Sequence, residues 1–474
     1  MRLVGRIRVL VAVAAAVLVV VVAASAVSAG TRATRTTTQE LTITVSDGTK
    51  LACGLVLPAG SAPAGGWPGL LLFHGLGQTH AFMETIATAA FAPAGFASLA
   101  CDARGTGASG GTFGLDGPKE VQDARDLFNW LATRSDVSDT EIGAFGLSLG
   151  GGEVWNAAIA GVPFKAIVPA ITWIDLARAL APANVPKGGL VGRLAQLIPG
   201  TWDPSITQAR DDLLGGSVTP AVKAAAAPRS SKPVLHLLTV PALILQGRHD
   251  FLFDLDQGLL AYKLLAGPKR LYIGDLGHPP AKNPAAEQPT YLGEAVAWFG
   301  HYLAGIGTVH GGVQLAHDPW DGTTTDYKTP PRTRHVSANL PGTTKLGPTG
   351  SATRTVRLTG GPLETFGDGY LTVRYSGQHL YGRLIASVAV KGSSTPVTFG
   401  AASAKKQAGV VRIPLSNQAV LLPRGKRLVV TVGRQSADGI YPVPTQGPGG
   451  PLLGQITIGR VTLNLSLLKR TVSR

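Results

Sequence analysis

Three side chains in this chain have the types and the order that acyl-transfer chemistry needs: Ser148, Asp250 and His278. A serine hydroxyl is a poor nucleophile near neutral pH. It needs a base within hydrogen-bond reach, and the base needs a third group to fix its tautomer. Ser148 lies in Gly146-Leu147-Ser148-Leu149-Gly150, with Gly151 and Gly152 behind it. After a strand and before a helix, G-x-S-x-G places serine on a sharp, strained turn, and glycines let strand and helix pass close by. Here an apolar run at 142–145 precedes it and a helix-compatible segment at 153–160 follows. Such a turn lifts the hydroxyl clear and aims the Leu149 N–H at any oxyanion formed there. In a chain with 61 Gly the pentapeptide alone reads equally well as a plain turn. Its weight comes from the Asp and the His that follow, each after its own strand.

Asp250 follows the apolar run 243–245, and His278 follows the run 270–273. In an open α/β sheet, residues just past the carboxyl ends of the strands share one rim, so all three can meet there. Asp254 and Asp256, one turn beyond, are rival acids. Asp275 belongs to the wrong strand and reads as a loop or capping residue. His249 is expected to face solvent, and His301 and His310 fall away from the rim. His74, in His74-Gly75-Leu76-Gly77, reads as structural, shaping a turn whose Leu76 N–H is the second oxyanion donor beside Leu149. This chemistry calls for no metal and no cofactor. The run Gly105-Thr106-Gly107-Ala108-Ser109-Gly110 matches a dinucleotide fingerprint, but that site needs a helix opening directly from the glycines. Gly111, Gly114 and Gly117 intervene, so a nucleotide role is set aside.

The elements that must position these residues alternate. Residues 41–45 and 51–57 read as strands around the turn Asp47-Gly48; 70–73, 96–100, 142–145, 166–170, 242–245 and 270–273 are short apolar strands. Helical patterns stand between them, at 82–93, 119–133, 255–265 and 292–303. Continuous apolar strands separated by helices predict an α/β fold, a mostly parallel sheet covered on both faces. Residues 172–239, with Trp173, Trp202 and scattered prolines, break the rhythm and read as an inserted helical cap. Residues 321–348 are Thr/Pro/Gly-rich and read as a linker. Short strands with Gly/Pro turns then predict an all-β, jelly-roll-like sandwich over 349–474. The hydrolytic domain accordingly runs from 30 to 320.

Composition bounds the rest. With 474 residues, 45% hydrophobic and 15% charged, the chain suits two globular domains and a targeting segment. Arg2, Arg6 and Arg8, the apolar run 9–24 and Val27-Ser28-Ala29 make residues 1–29 a signal peptide. An uncleaved anchor is the alternative; either places the remainder outside the cytoplasm, secreted or in the cell envelope. The net charge of +15 is uneven: residues 320–474 carry 20 Lys and Arg against 5 Asp and Glu. This reads as a soluble basic surface, or as salt-sensitive adhesion to an anionic envelope polymer or membrane surface. A non-catalytic envelope-binding protein on a hydrolase scaffold is the alternative function. No Cys/His set, RNP motif or helix-turn-helix pattern suggests nucleic acid.

Together, Asp102-x-Arg104-Gly105-x-Gly107-x-Ser109-x-Gly111, the elbow, Gly247-x-x-Asp250 and Gly277-His278 resemble the X-Pro dipeptidyl-peptidase and cocaine-esterase-like α/β-hydrolases. The resemblance implies a serine hydrolase using Ser148, Asp250 and His278 on small ester or peptide substrates, with a helical cap and a C-terminal jelly roll. Leu149 stands where that family commonly has Tyr, and His74-Gly75-Leu76-Gly77 replaces its oxyanion tyrosine. These departures shift the expectation from Xaa-Pro peptides toward general ester or amide cleavage. In this fold the strand from Leu51 lies antiparallel beside the one ending at Cys101, which predicts a Cys53–Cys101 disulfide.

Overall fold

The computed structural model describes residues 36–347, 350–357, 359, 362–377, 382–404, 406–436, 439–442 and 455–469. Residues 1–29, read above as a signal peptide, lie outside them. Ten strands form the first sheet: β1 (Thr37–Thr44), β2 (Lys50–Leu57), β3 (Trp67–Phe73), β4 (Ala97–Cys101), β5 (Val137–Leu147), β6 (Ile167–Ala170), β7 (Ala242–Gly247), β8 (Lys269–Gly274), β9 (Gly312–Ala316) and β10 (Thr324–Tyr327). Their order is β1-β2-β4-β3-β5-β6-β7-β8-β9-β10. From β4 through β9 neighbours run parallel, while β1, β2 and β10 pair antiparallel at the edges.

The central strands are apolar throughout because both faces are covered. Side chains alternate, so Leu71, Ala144, Ile244 and Leu271 enter one core, and Leu70, Leu72, Phe145, Leu243 and Leu245 enter the other. The first core packs under α2 (Pro118–Ala132), α3 (Leu149–Ile159) and α8 (Leu255–Leu264). The second packs under α1 (His80–Ile86) and α9 (Gln288–Ala304). Each fully buried Leu or Ile contributes about 1.5–3 kcal/mol relative to exposure. Between β6 and β7 the cap consists of α4 (Leu176–Leu180), α5 (Gly188–Ala195), α6 (Pro204–Leu214), α7 (Pro220–Ala226) and short 3₁₀ turns.

Cys53 and Cys101 face each other across the antiparallel β2–β4 pair, Cα atoms 3.9 Å apart, and form the disulfide. Closing a loop 48 residues long restricts the unfolded chain by an amount worth about 4 kcal/mol in the chain-entropy picture.

The stretch read as a linker is largely ordered strand. Thr324–Tyr327 closes the first sheet, and Thr333–Leu340 and Thr344–Leu346 join the second. Thr is β-branched and suits strands, but these are edge or half-exposed segments whose polar character hides them in a sequence. The second sheet is antiparallel and runs Thr333–Leu340, Ile456–Leu468, Gly369–Ser376, Ala408–Leu415, Pro396–Ser403, Arg383–Val390, Arg427–Gly433, Ser351–Arg357. It rolls up until Leu340, from the first of these strands, and Ala352, from the last, share one core with Val373, Val388 and Val430.

Candidate active site

The elbow forms where β5 meets α3. Ser148 holds φ 55° and ψ −111°, in the left-handed half of φ that side chains other than glycine rarely adopt. The glycines around it are forced by close approach. A Cβ at Gly146 would overlap the Gly150 carbonyl, and a Cβ at Gly150 would overlap that of Phe73. Backbone bonds from Ser148 N to Ala170 O (2.9 Å) and from Gly150 N to His74 O (3.0 Å) pin the turn to the neighbouring strands. Thr172 adds a bond from its hydroxyl to Ser148 O at 2.7 Å.

Ser148 Oγ lies 2.8 Å from His278 Nε2, and His278 Nδ1 lies 2.7 Å from Asp250 Oδ2. With Nδ1–H donating to the carboxylate, Nε2 keeps its lone pair for the serine proton. Asp250 is completely buried. Its Oδ2 also accepts from His278 N (2.9 Å), and its Oδ1 from Leu252 N (2.8 Å) and Phe253 N (2.9 Å). The rival acids are engaged elsewhere. Asp254 accepts from Ser416 and Asn417, Asp256 pairs with Arg178, and Asp275 accepts from Lys282 N.

Leu76 and Leu149 line the pocket that Ser148 reaches, and among the described residues neither backbone N–H donates a hydrogen bond. Gln78 Oε1 accepts from Gly75 N at 2.9 Å and rigidifies the loop carrying Leu76. His74 is buried. Its Nδ1 donates to Gly75 O (2.8 Å) and its Nε2 accepts from Ala103 N (2.9 Å), so burial keeps it neutral with its pKa lowered. It ties the oxyanion loop to the Asp102–Gly111 loop. In that loop Arg104 grips Asp123 through two bonds and Asp47 through a third, which is a structural use of the glycine-rich segment. Asp116 and, on α3, Glu153 are buried; desolvation raises both well above the usual carboxylate range, aided by repulsion from Glu120 at Asp116 and from Asp116 and Glu120 at Glu153.

Several positioning residues carried no sequence signal. Asn283 brackets the histidine loop, accepting from Gly277 N (2.9 Å) and donating to Gly277 O (3.0 Å). Lys187, buried in the cap, donates to Phe251 O (2.8 Å) and Leu252 O (3.1 Å), directly behind Asp250. Gln418, from the second domain, donates to Asp250 O at 2.9 Å. His249 does not face solvent as expected. The second domain folds over it, Nε2 meets Pro396 O at 3.0 Å, and burial pushes its pKa down to about 4. Glu40, His80 and Glu84 bring three ligand-type atoms within 4.8 Å of one another beside β1, and could hold a metal ion there.

Ser148 opens onto two cavities. One, about 100 Å³, is a small apolar pocket under the cap, walled by Phe113, Trp173, Trp202, Ile206 and Leu252 among others. The other, about 610 Å³, is an open cleft shared by His278, α5 and the second domain's Thr395, Pro396 and Ile440. A parallel sheet with a nucleophile elbow, a helical cap between β6 and β7 and an acid and a histidine after β7 and β8 defines an α/β-hydrolase.

Comparison with known proteins narrows this class. Residues 47–192 match the model of the X-Pro dipeptidyl-peptidase (S15) family. An uncharacterized 31.7 kDa Escherichia coli protein is 34% identical over 110 residues, 23% of this chain and 38% of that protein's length. The fold is shared almost end to end with three solved structures, each 14% identical. A CocE/NonD family hydrolase from Staphylococcus aureus superposes with TM-score 0.68, over 92% of this chain and 94% of its own. An aminopeptidase from a marine-sediment Thaumarchaeota archaeon gives 0.70, over 94% and 98%. An alpha-amino acid ester hydrolase gives 0.65, over 94% and 99%.

Proposed function

We propose that this protein is an exported serine hydrolase that cleaves ester or amide bonds through an acyl-enzyme. The observation that carries the reading is the unbroken chain of bonds from Ser148 Oγ through His278 to buried Asp250, at the mouth of both cavities. In this reading Ser148 Oγ attacks the carbonyl carbon as its proton passes to His278 Nε2. Asp250 stabilises the imidazolium and holds its orientation. The oxyanion lies between the Leu76 and Leu149 N–H groups, each such donor being worth about 2.7–4 kcal/mol in the transition state. As the tetrahedral intermediate collapses, Nε2 returns the proton to the leaving group. A water then repeats the sequence and releases the acid. One half of the substrate occupies the apolar pocket and the other the open cleft.

Export is supported by the basic and apolar character of residues 1–29 and by the disulfide, which suits an oxidising compartment. The basic excess of residues 320–474 supports retention on anionic envelope polymer. A fluorophosphonate probe tests the catalytic assignment. Wild type is expected to be labelled stoichiometrically, and labelling that persists in Ser148→Ala would rule the assignment out.

A further inference from the structure

Neither cavity reached by Ser148 is lined by any Asp or Glu among the described residues. On α5, Arg193 lines the open cleft and is the one Lys or Arg there among the described residues. Besides the histidine, the remaining polar lining side chains, Gln78, Ser148, Asn283, Tyr291, Ser394 and Thr395, are neutral. Other arginines of the cap are engaged: Arg178 pairs with Asp256, Arg210 pairs with Asp211, and Arg229 donates to Gly114 O, Ala225 O and Ser205 Oγ. Among the described residues, Arg193 has neither an ion pair nor a hydrogen bond.

This charge pattern selects among substrates. A substrate presenting a free ammonium group loses water on entering the cleft and gains no counter-ion, while the guanidinium repels it. A carboxylate instead gains a charge-assisted, bidentate partner whose planar fork matches its two oxygens. We propose that Arg193 sets the specificity of the cleft, and that the preferred substrates are esters or amides bearing a carboxylate. Substrates presenting a free α-ammonium group are disfavoured. The proposal rests on the hydrolase reading and deepens it.

The test compares three near-isosteric 4-nitrophenyl esters: the adipic acid monoester, its methyl-capped neutral counterpart, and the 6-aminohexanoate. In wild type, kcat/KM for the carboxylate ester is expected to exceed the neutral one by about tenfold, as a charge-assisted pair in a half-open site allows, and the ammonium ester to be slowest. Arg193→Ala is expected to bring the carboxylate-to-neutral ratio near one through loss of rate on the carboxylate ester, Arg193→Lys to restore part of the preference, and Arg193→Glu to invert it. The neutral ester's rate and fluorophosphonate labelling report whether each variant keeps a folded site. Asp438 is the single acid of segment 433–450, and Asp438→Asn should leave the ratio as in wild type. A carboxylate preference appearing only in that variant would overturn the proposal. So would a wild-type ratio at or below one, or a ratio that Arg193→Ala does not move. Turnover of the neutral ester with labelled Ser148 would then leave the hydrolase reading standing, whereas no turnover and no labelling would remove both.

Discussion

Asp250 accepts four hydrogen bonds, two on each carboxylate oxygen, and all four donors lie in the loops carrying Asp250 itself and His278. Asn at this position can still accept on one oxygen, but it places an NH₂ opposite the His278 N–H groups. The imidazole then loses its orientation and its preferred tautomer. Asp250→Asn is therefore expected to lower kcat by about 10⁴-fold while leaving folding nearly intact, the scale seen when a triad acid is replaced this way. Asp254→Asn should leave kcat within a few-fold of wild type. Steady-state kinetics on the neutral ester separates the two acids, and equal losses would reassign the role.

At the scale of elements, the site depends on contacts between segments distant in sequence. Lys187, just before α5, is fully buried over the Phe399 ring and holds the carbonyls of the acid loop. Burial lowers its pKa from 10.5 to about 8. Between those values the unfolded chain keeps the proton that the folded protein has released. Raising the pH through that window therefore favours the folded state through this group. Below about pH 8 both states are charged, and the group adds no slope. The stability of wild type relative to Lys187→Met is expected to rise steadily from pH 8 to 10.5 and to be flat below. Parallel urea titrations at pH 7, 8, 9 and 10 measure it, and a flat difference throughout would refute it.

At the scale of the whole molecule, the second domain buttresses the first domain's acid loop. Arg248 is 1% exposed; it pairs with Glu364 and donates to Ala316 O (2.5 Å) and Ala419 O (2.8 Å). Leu255 N bonds Asn417 O at 3.1 Å, and Gln418 reaches the Asp250 carbonyl. Breaking one partner of a buried pair leaves an uncompensated charge, so Glu364→Gln is expected to cost about 3–5 kcal/mol. Because the contact spans both domains, calorimetry should show their melting shift together and activity fall with them. Loss of the second domain's stability alone would contradict this coupling.

The sequence by itself determined the layered α/β sheet, the separate all-β domain, the elbow and the order of its partners. Each is written in a local pattern: apolar runs of strand length, glycines where backbones touch, a serine, acid and histidine each after its own strand. The same reasoning took residues 324–327 and 333–340 for linker, because edge strands half open to water carry polar, Thr-rich sequence. Tertiary structure alone decided which acid faces the imidazole, that Lys187, Asn283 and Gln418 hold the loops, and that His249 is enclosed. It also decided that Arg193 lines a cleft with no Asp or Glu among the described residues. Those outcomes depend on which surfaces meet across long stretches of chain, and no spacing along the sequence encodes such a meeting.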